Sequence, residues 1–328
     1  MSLPPLHPRE ALFAGATQPL RLPVVDHYCG IEKLMRKSLA LQAARGPVFD
    51  ITLDCEDGAT VGAEAAHVQL VVELLNSPDN RFGRVGVRVH PVDHPAFAME
   101  LRALAASPTA PAYLMLPKIE SRAQLDAGVS TLQATWRAAP PPPLQVLIET
   151  HGGLREVDAI AAHADVQSLS FGLMDFVSAH HGAIPRSALT LAGQFDHPLV
   201  RRAKLAIAAA AHGHGKVPSH CVVTELRSAS RLQEAARRAA REFGYTRMWS
   251  IHPDQIQPIL DAFAPSTAEL DEAVEVLDAA RAAAWGPIRL RDQLHDRASY
   301  RLFWSLLDQA HRTAQTLPAE VVQRYFTN

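Results

Sequence analysis

A (β/α)8 barrel, an α/β TIM barrel with a helical C-terminal extension, is the fold this sequence predicts, and three observations predict it. Short apolar runs recur eight times, Ala-, Leu- and Arg-rich stretches of helical character lie between them, and nearly every run ends in a polar or charged group. Eight strand–helix units within about 250 residues make a closed parallel barrel, whose chemistry sits at the carboxyl ends of its strands. A doubly wound open sheet is the rival, but no GxGxxG follows the first run to support a dinucleotide fold.

In order, the runs are RLPVVDHYC, VFDITLDCEDG, VGVRVHP, AYLMLPKIE, QVLIETHGG, VQSLSFGLMDF, KVPSHCVVTEL and RMWSIHPDQI. Their β-branched and apolar residues read as strands, half-buried or fully buried. Between them, residues 62–76, 95–106, 121–138, 153–163, 197–213 and 228–243 read as helices. APPPPL, residues 139–144, reads as a stiff extended linker before the fifth strand. Pro265-Ser266-Thr267 opens a new helix after the eighth, so the barrel domain is assigned residues 1–264 and the helical extension residues 265–328.

The 328 residues, 48% hydrophobic and 20% charged, suffice for a barrel-sized domain plus an appendage. A net charge of -2 and a pI near 6.8 argue against a nucleic-acid or membrane-surface partner held by bulk electrostatics. No stretch approaches the roughly 18 uncharged apolar residues of a membrane span, and the N-terminal residues carry no long apolar core of a signal peptide. Cys29, Cys55 and Cys221 form neither a disulfide framework nor a CxxC motif. A soluble cytoplasmic enzyme of small-molecule chemistry is the expectation.

The second run ends in Asp54, Glu56 and Asp57, three acids within four positions. Arg88 closes the third run, where a guanidinium can hold a substrate carboxylate or serve as an internal partner for those acids; the two roles can coexist. Glu149 and Asp175 end successive runs. Two carboxylates about 4 Å apart repel by about 4 kcal/mol at an effective dielectric near 20, so one takes a proton or a cation sits between them. Magnesium, which favours one or two carboxylates plus waters and substrate oxygens, fits such a pair; helix capping or salt bridging explains the same residues. Gly152-Gly153 permits either anion binding at a helix start or a tight turn. His90, His151 and His252 sit at strand ends, where an imidazole can exchange a proton. No GxSxG or Walker A motif is present.

These stretches resemble the citrate lyase β-subunit-like proteins of the HpcH/HpaI aldolase superfamily, which also includes malyl-CoA and citramalyl-CoA lyases. LDCEDGA, VRVHPVDHP, LMLPKIES, LIETHGGL, SFGLMDF and SIHPDQI stand in the family's order. The resemblance implies a magnesium-dependent barrel lyase in which Glu149 and Asp175 ligate the ion and Arg88 binds the substrate carboxylate. Glu56, Asp57 and Lys118 complete the catalytic set, and Gly152, Gly153 and His252 are assigned to cofactor binding. The implied reaction cleaves a 3-hydroxyacyl thioester, carried by CoA or an acyl carrier protein, to an acyl thioester and a 2-oxo acid. A thioesterase and a non-catalytic acyl-CoA-binding subunit are the alternatives, and a homo-oligomer, such as a trimer, is the implied assembly. Three departures mark this chain: Gly172-Leu173-Met174-Asp175 stands where many relatives read GAED, His90 replaces the asparagine of VRVN, and LPVVDHYCG replaces the LFVPG form.

Overall fold

The computed structural model describes residues 6–13, 20–136, 140–225, 228–313 and 315–327, which fall into two compact units. Residues 20–263 form the first. Its strands are β1 (Val25–Cys29), β2 (Phe49–Asp54), β3 (Val85–Arg88), β4 (Leu114–Leu116), β5 (Leu144–Ile148), β6 (Val166–Phe171), β7 (Val217–His220) and β8 (Arg247–Ser250). They close in sequence order into a parallel barrel, β8 pairing with β1. Each lies within or beside one of the eight predicted runs.

β2 shows why the runs look mixed rather than purely apolar. All six of its residues are buried. Phe49, Ile51 and Leu53 enter the core shared with the helices, whereas Asp50, Thr52 and Asp54 bond to Arg247 of β8, Tyr113 just before β4 and Arg88 of β3. Successive side chains point to opposite faces of a strand, so one face packs on helices and the other fills the barrel. Toward the amino ends of the strands the barrel interior holds a closed ion-pair network. Arg247 lies 2.6 Å from Asp50 and 3.1 Å from Asp26, Arg84 lies 2.7 Å from Asp50, and the Tyr113 hydroxyl donates to Asp26 at 3.0 Å.

Most predicted helices are present. Glu64–Leu75, Phe97–Ala105, Arg122–Thr135, Pro198–Gly213 and Ala229–Glu242 follow the sequence pattern, and Ser121 and Ser228 accept hydrogen bonds from the first turns of two of them. The 153–163 segment differs. It is two short helices, His151–Arg155 and Val157–Ala161, broken at Glu156, whose carboxylate accepts from the Arg122 backbone N–H; paired glycines favour helix too weakly to extend it. Residues 137–139, the end of the predicted helix 121–138 and the start of the proline linker, lie outside the described residues. A helix before β2, Glu32–Arg45, and another after β8, Ile256–Phe263, also belong to the unit.

The second unit comprises residues 1–19 and 264–328. Assigning residues 1–264 to the barrel therefore needs correction at the start. Helix Pro8–Phe13 places Leu12 in an apolar cluster with Leu270, Leu277, Trp304 and Tyr325, and Trp285 Nε1 donates to the Leu6 carbonyl at 3.0 Å. The extension opens at Ser266 with a capping box to Glu269 and contains helices Thr267–Ala282, Arg297–Arg312 and Ala319–Tyr325. It also holds an antiparallel hairpin, Ile288–Leu290 with Gln293–His295. The hairpin turn takes Arg291 and Asp292 to φ 46° and 60°, which hides the usual Asn-Gly or Asp-Gly signal. Among the described residues no helix is long and apolar enough to cross a membrane.

Candidate active site

The β2–β3 register sets Asp54 opposite Arg88 at the carboxyl end of both strands. Both side chains point inward, and their ion pair follows. Arg88 Nε donates to Asp54 Oδ1 at 2.6 Å and Nη2 to Oδ2 at 2.9 Å, while Nη1 lies 2.9 Å from Glu56 Oε2. Arg88 Nη2 also donates to the Tyr28 hydroxyl at 2.5 Å, and the guanidinium lies 4.9 Å from the centroid of the Tyr28 ring. Tyr28 in turn donates to Asp54 and stacks on Trp249. Burial alone opposes the Asp54 charge, but Arg88 overrides it and holds the carboxyl below the usual range. The acidic end of β2 thus fixes the arginine in one orientation, as expected for a planar fork facing a bidentate carboxylate.

Lys118 follows β4 with φ 54°, a left-handed backbone that a lysine adopts only when its surroundings hold it there. That turn sends its N–H to Glu149 Oε1, 2.8 Å away, and its ammonium to Glu56 and Asp57. Partial burial works against the charge, but the Glu56 hydrogen bond and the nearby acids raise the Lys118 pKa above its ordinary value. Burial raises the Glu56 pKa, with Arg88 and Lys118 pulling the other way.

Glu149 follows the last residue of β5, and only 2% of it is exposed. Burial, and then the Asp175 carboxylate, push its pKa up to about 8. Asp175 stands in the first turn of helix Leu173–Ser178, directly after β6. Gly172 allows the approach: a Cβ there would overlap Glu149 Oε2 and Cβ. Among the described residues Asp175 has no ion-pair partner. The cluster sets Arg88 and Lys118 against Asp54, Glu56, Asp57, Glu149 and Asp175, so among the described residues the acids at this rim outnumber the cations. Two adjacent carboxylates, one of them buried with an elevated pKa, form a donor set that fits a hard divalent cation completed by waters or substrate oxygens.

Arg88, Glu56, Asp57, Lys118, Glu149 and Asp175 are therefore gathered in one place. The expected cofactor-binding residues are arranged differently. The Gly152 N–H donates to Glu120 Oε2 at 3.1 Å and the Gly153 N–H to Thr150 Oγ1 at 2.9 Å, so both donors are engaged within the protein. A Cβ at either glycine would collide with the backbone of residues 119–120. The pair serves close packing of a helix start. His252 is half-exposed and caps the short turn Pro253–Gln255, its Nδ1 accepting from the Asp254 N–H at 3.2 Å. Tyr28 and Trp249 are members of the site that the sequence reading missed; the inward alternation Asp26, Tyr28 along β1 is the signal that points to the first.

The family profile described as HpcH/HpaI aldolase/citrate lyase matches residues 34–253. A solved citrate lyase from Burkholderia xenovorans LB400 is 55% identical with TM-score 0.86, the match covering 98% of this chain and 100% of that one. CitE of Mycobacterium tuberculosis, solved with magnesium, acetoacetate and coenzyme A, is 26% identical with TM-score 0.69 over 88% of this chain and 97% of that chain. The L-malyl-CoA/β-methylmalyl-CoA lyase of Cereibacter sphaeroides is 27% identical over 292 residues, 84% of this chain and 91% of that protein. With the barrel, the matched residues and relatives named as lyases in agreement, the chain belongs to the HpcH/HpaI aldolase/citrate lyase family and is a carbon–carbon lyase.

Proposed function

We propose that the protein cleaves a 3-hydroxyacyl-CoA of the malyl-, citramalyl- or citryl-CoA type to an acyl-CoA and a 2-oxo acid, with magnesium held by Glu149 and Asp175. The observation that carries this reading is the buried Glu149 carboxylate, its pKa raised to about 8 by burial and by Asp175, with neither acid in an ion pair among the described residues. The magnesium in the Mycobacterium tuberculosis complex supports the choice of ion, and its coenzyme A, with the substrates naming the Cereibacter sphaeroides enzyme, supports a CoA thioester. Bound magnesium would supply Lewis-acid charge that favours the alkoxide and the forming oxo acid.

The chain's own residues orient the substrate around that charge. Arg88, locked by Asp54, Glu56 and Tyr28, keeps an N–H of Nη1 for one oxygen of the substrate carboxylate. Lys118 fixes Glu149 through its backbone N–H, and its ammonium, anchored on Glu56 and Asp57, offsets the negative charge of the rim. Mass-spectrometric product analysis with malyl-CoA, citramalyl-CoA and citryl-CoA, each with magnesium and with EDTA, tests the reading. Magnesium-dependent release of an acyl-CoA and an oxo acid is expected. Free CoA with an intact hydroxy acid would make the protein a thioesterase, and no turnover of any of the three would defeat the proposed substrate class.

A further inference from the structure

A cavity of about 300 Å3 is lined by Glu56, Asp57 and Lys118 of the charged cluster together with Glu64, His90 and His94. His90 stands two residues beyond Arg88, where the chain leaves β3. The fully buried Glu100, on helix Phe97–Ala105, accepts from the His90 backbone N–H at 2.9 Å and lies 2.5 Å from His90 Nδ1. His94 stacks on the ring at a centroid distance of 4.2 Å and an interplanar angle of 16°. A carboxylate bonded at Nδ1 sets the tautomer and orientation of an imidazole and leaves Nε2 as the atom that takes or gives a proton. Among the described residues no hydrogen bond occupies His90 Nε2.

Two charged groups on the cavity wall are committed to ion pairs. Lys118 is held protonated by Glu56, and Glu56 is shared between Lys118 and Arg88. Cleavage of a 3-hydroxyacyl thioester needs a group that removes the hydroxyl proton and a donor for the carbon that leaves as an enolate. We propose that His90 is that proton carrier, a role that rests on the function proposed above. Nε2 takes the hydroxyl proton, the carbinol carbon becomes the carbonyl of the 2-oxo acid, and the pair of the breaking carbon–carbon bond passes into the thioester enolate. The same proton is then returned from Nε2 to the enolate carbon. The step is proton-neutral overall and needs no co-reactant. Glu100 is the positioning residue behind the ring. The charged and titratable groups facing His90 are Glu100 and His94, with Glu64, Glu56, Asp57 and Lys118 around the cavity.

The test follows deuterium entering the methyl group of acetyl-CoA in D2O, with full-length protein, magnesium and oxalate as an unreactive oxo-acid analogue, alongside cleavage kinetics. Wild-type protein exchanges the methyl protons. His90→Gln slows exchange and kcat about 10²- to 10³-fold and removes one ionisation from the pH–rate profile, while oxalate affinity stays within about threefold. Glu100→Gln has a smaller effect of the same kind, and Glu100→Asp restores part of it. Should the buried Glu100 prevent His90→Gln from folding, the double variant His90→Gln/Glu100→Gln leaves no carboxylate unpaired and gives the same comparison.

Unchanged exchange in these variants, or a rate loss matched by lost oxalate affinity, overturns the role of His90 and leaves the lyase standing. His90-dependent exchange without cleavage of any hydroxyacyl-CoA supports the proton carrier and defeats the lyase substrate. A wild-type protein that shows neither reaction overturns both.

Discussion

The two ends of the barrel interior carry similar residues and solve different problems. At the amino ends, Arg247 and Arg84 face Asp26 and Asp50, and buried charge is matched within the protein. At the carboxyl ends, Arg88 and Lys118 face five acids, and the Glu149–Asp175 pair is left over. A matched network can only hold strands together. An unmatched one stores a demand for a cation, and it has settled where barrel enzymes place their chemistry.

Substitutions at the two ends should separate these roles. The largest expected effect is at the carboxyl end: Glu149→Gln or Asp175→Asn lowers kcat by about 10³-fold or more and abolishes magnesium dependence, with the unfolding transition intact. Steady-state kinetics and calorimetric magnesium titration check this, and wild-type turnover in either variant would remove the metal assignment. At the amino end the reverse holds. Arg247→Met leaves Asp26 without a cationic partner and Asp50 with Arg84 alone, and costs about 3–5 kcal/mol in urea unfolding, while magnesium affinity in any folded fraction is unchanged.

An intermediate effect is expected from Arg88→Lys, which keeps the charge and loses the fork. The KM for the oxo acid in the condensation direction should rise about 10- to 100-fold with a smaller change in kcat, and an unaltered KM would take Arg88 out of the substrate site.

A pH dependence is expected as well. Glu149 holds its proton more tightly in the folded chain than in the unfolded one, so its contribution to stability is complete below the usual carboxylate pKa. That contribution is lost as pH rises toward about 8. The slope is at most about 1.4 kcal/mol per pH unit. Melting temperatures of EDTA-treated protein should fall between pH 5 and 8, and magnesium should restore more stability at pH 8 than at pH 5; equal restoration at both would contradict the elevated Glu149 pKa.

The β/α rhythm alone locates all eight strands, and the polar strand ends name six side chains that meet at one rim. The reading weakens where a residue's role depends on its neighbours. Gly152 and Gly153 look like an anion cradle in one dimension, but their N–H groups are taken by Glu120 and Thr150, which come from separate points along the chain. His252 looks like a reactive strand-end histidine and is used as a turn cap. Leu12, read with the barrel, is buried instead with Trp304 and Tyr325, nearly the full length of the chain away. Tyr28 carries no motif at all, and its importance comes from lying against Arg88 and Trp249.

Strand order, the apolar faces that pack on helices, and the acids and arginine that each strand carries to its end follow from the sequence by itself, because period-2 and helical patterning are local properties of the chain. The β2–β3 register that joins Asp54 to Arg88, the left-handed turn at Lys118 and the burial that lifts Glu149 were decided only by the tertiary structure. The physical reason is that charge balance and desolvation are sums over everything nearby in space, and what is nearby is settled only when the barrel closes.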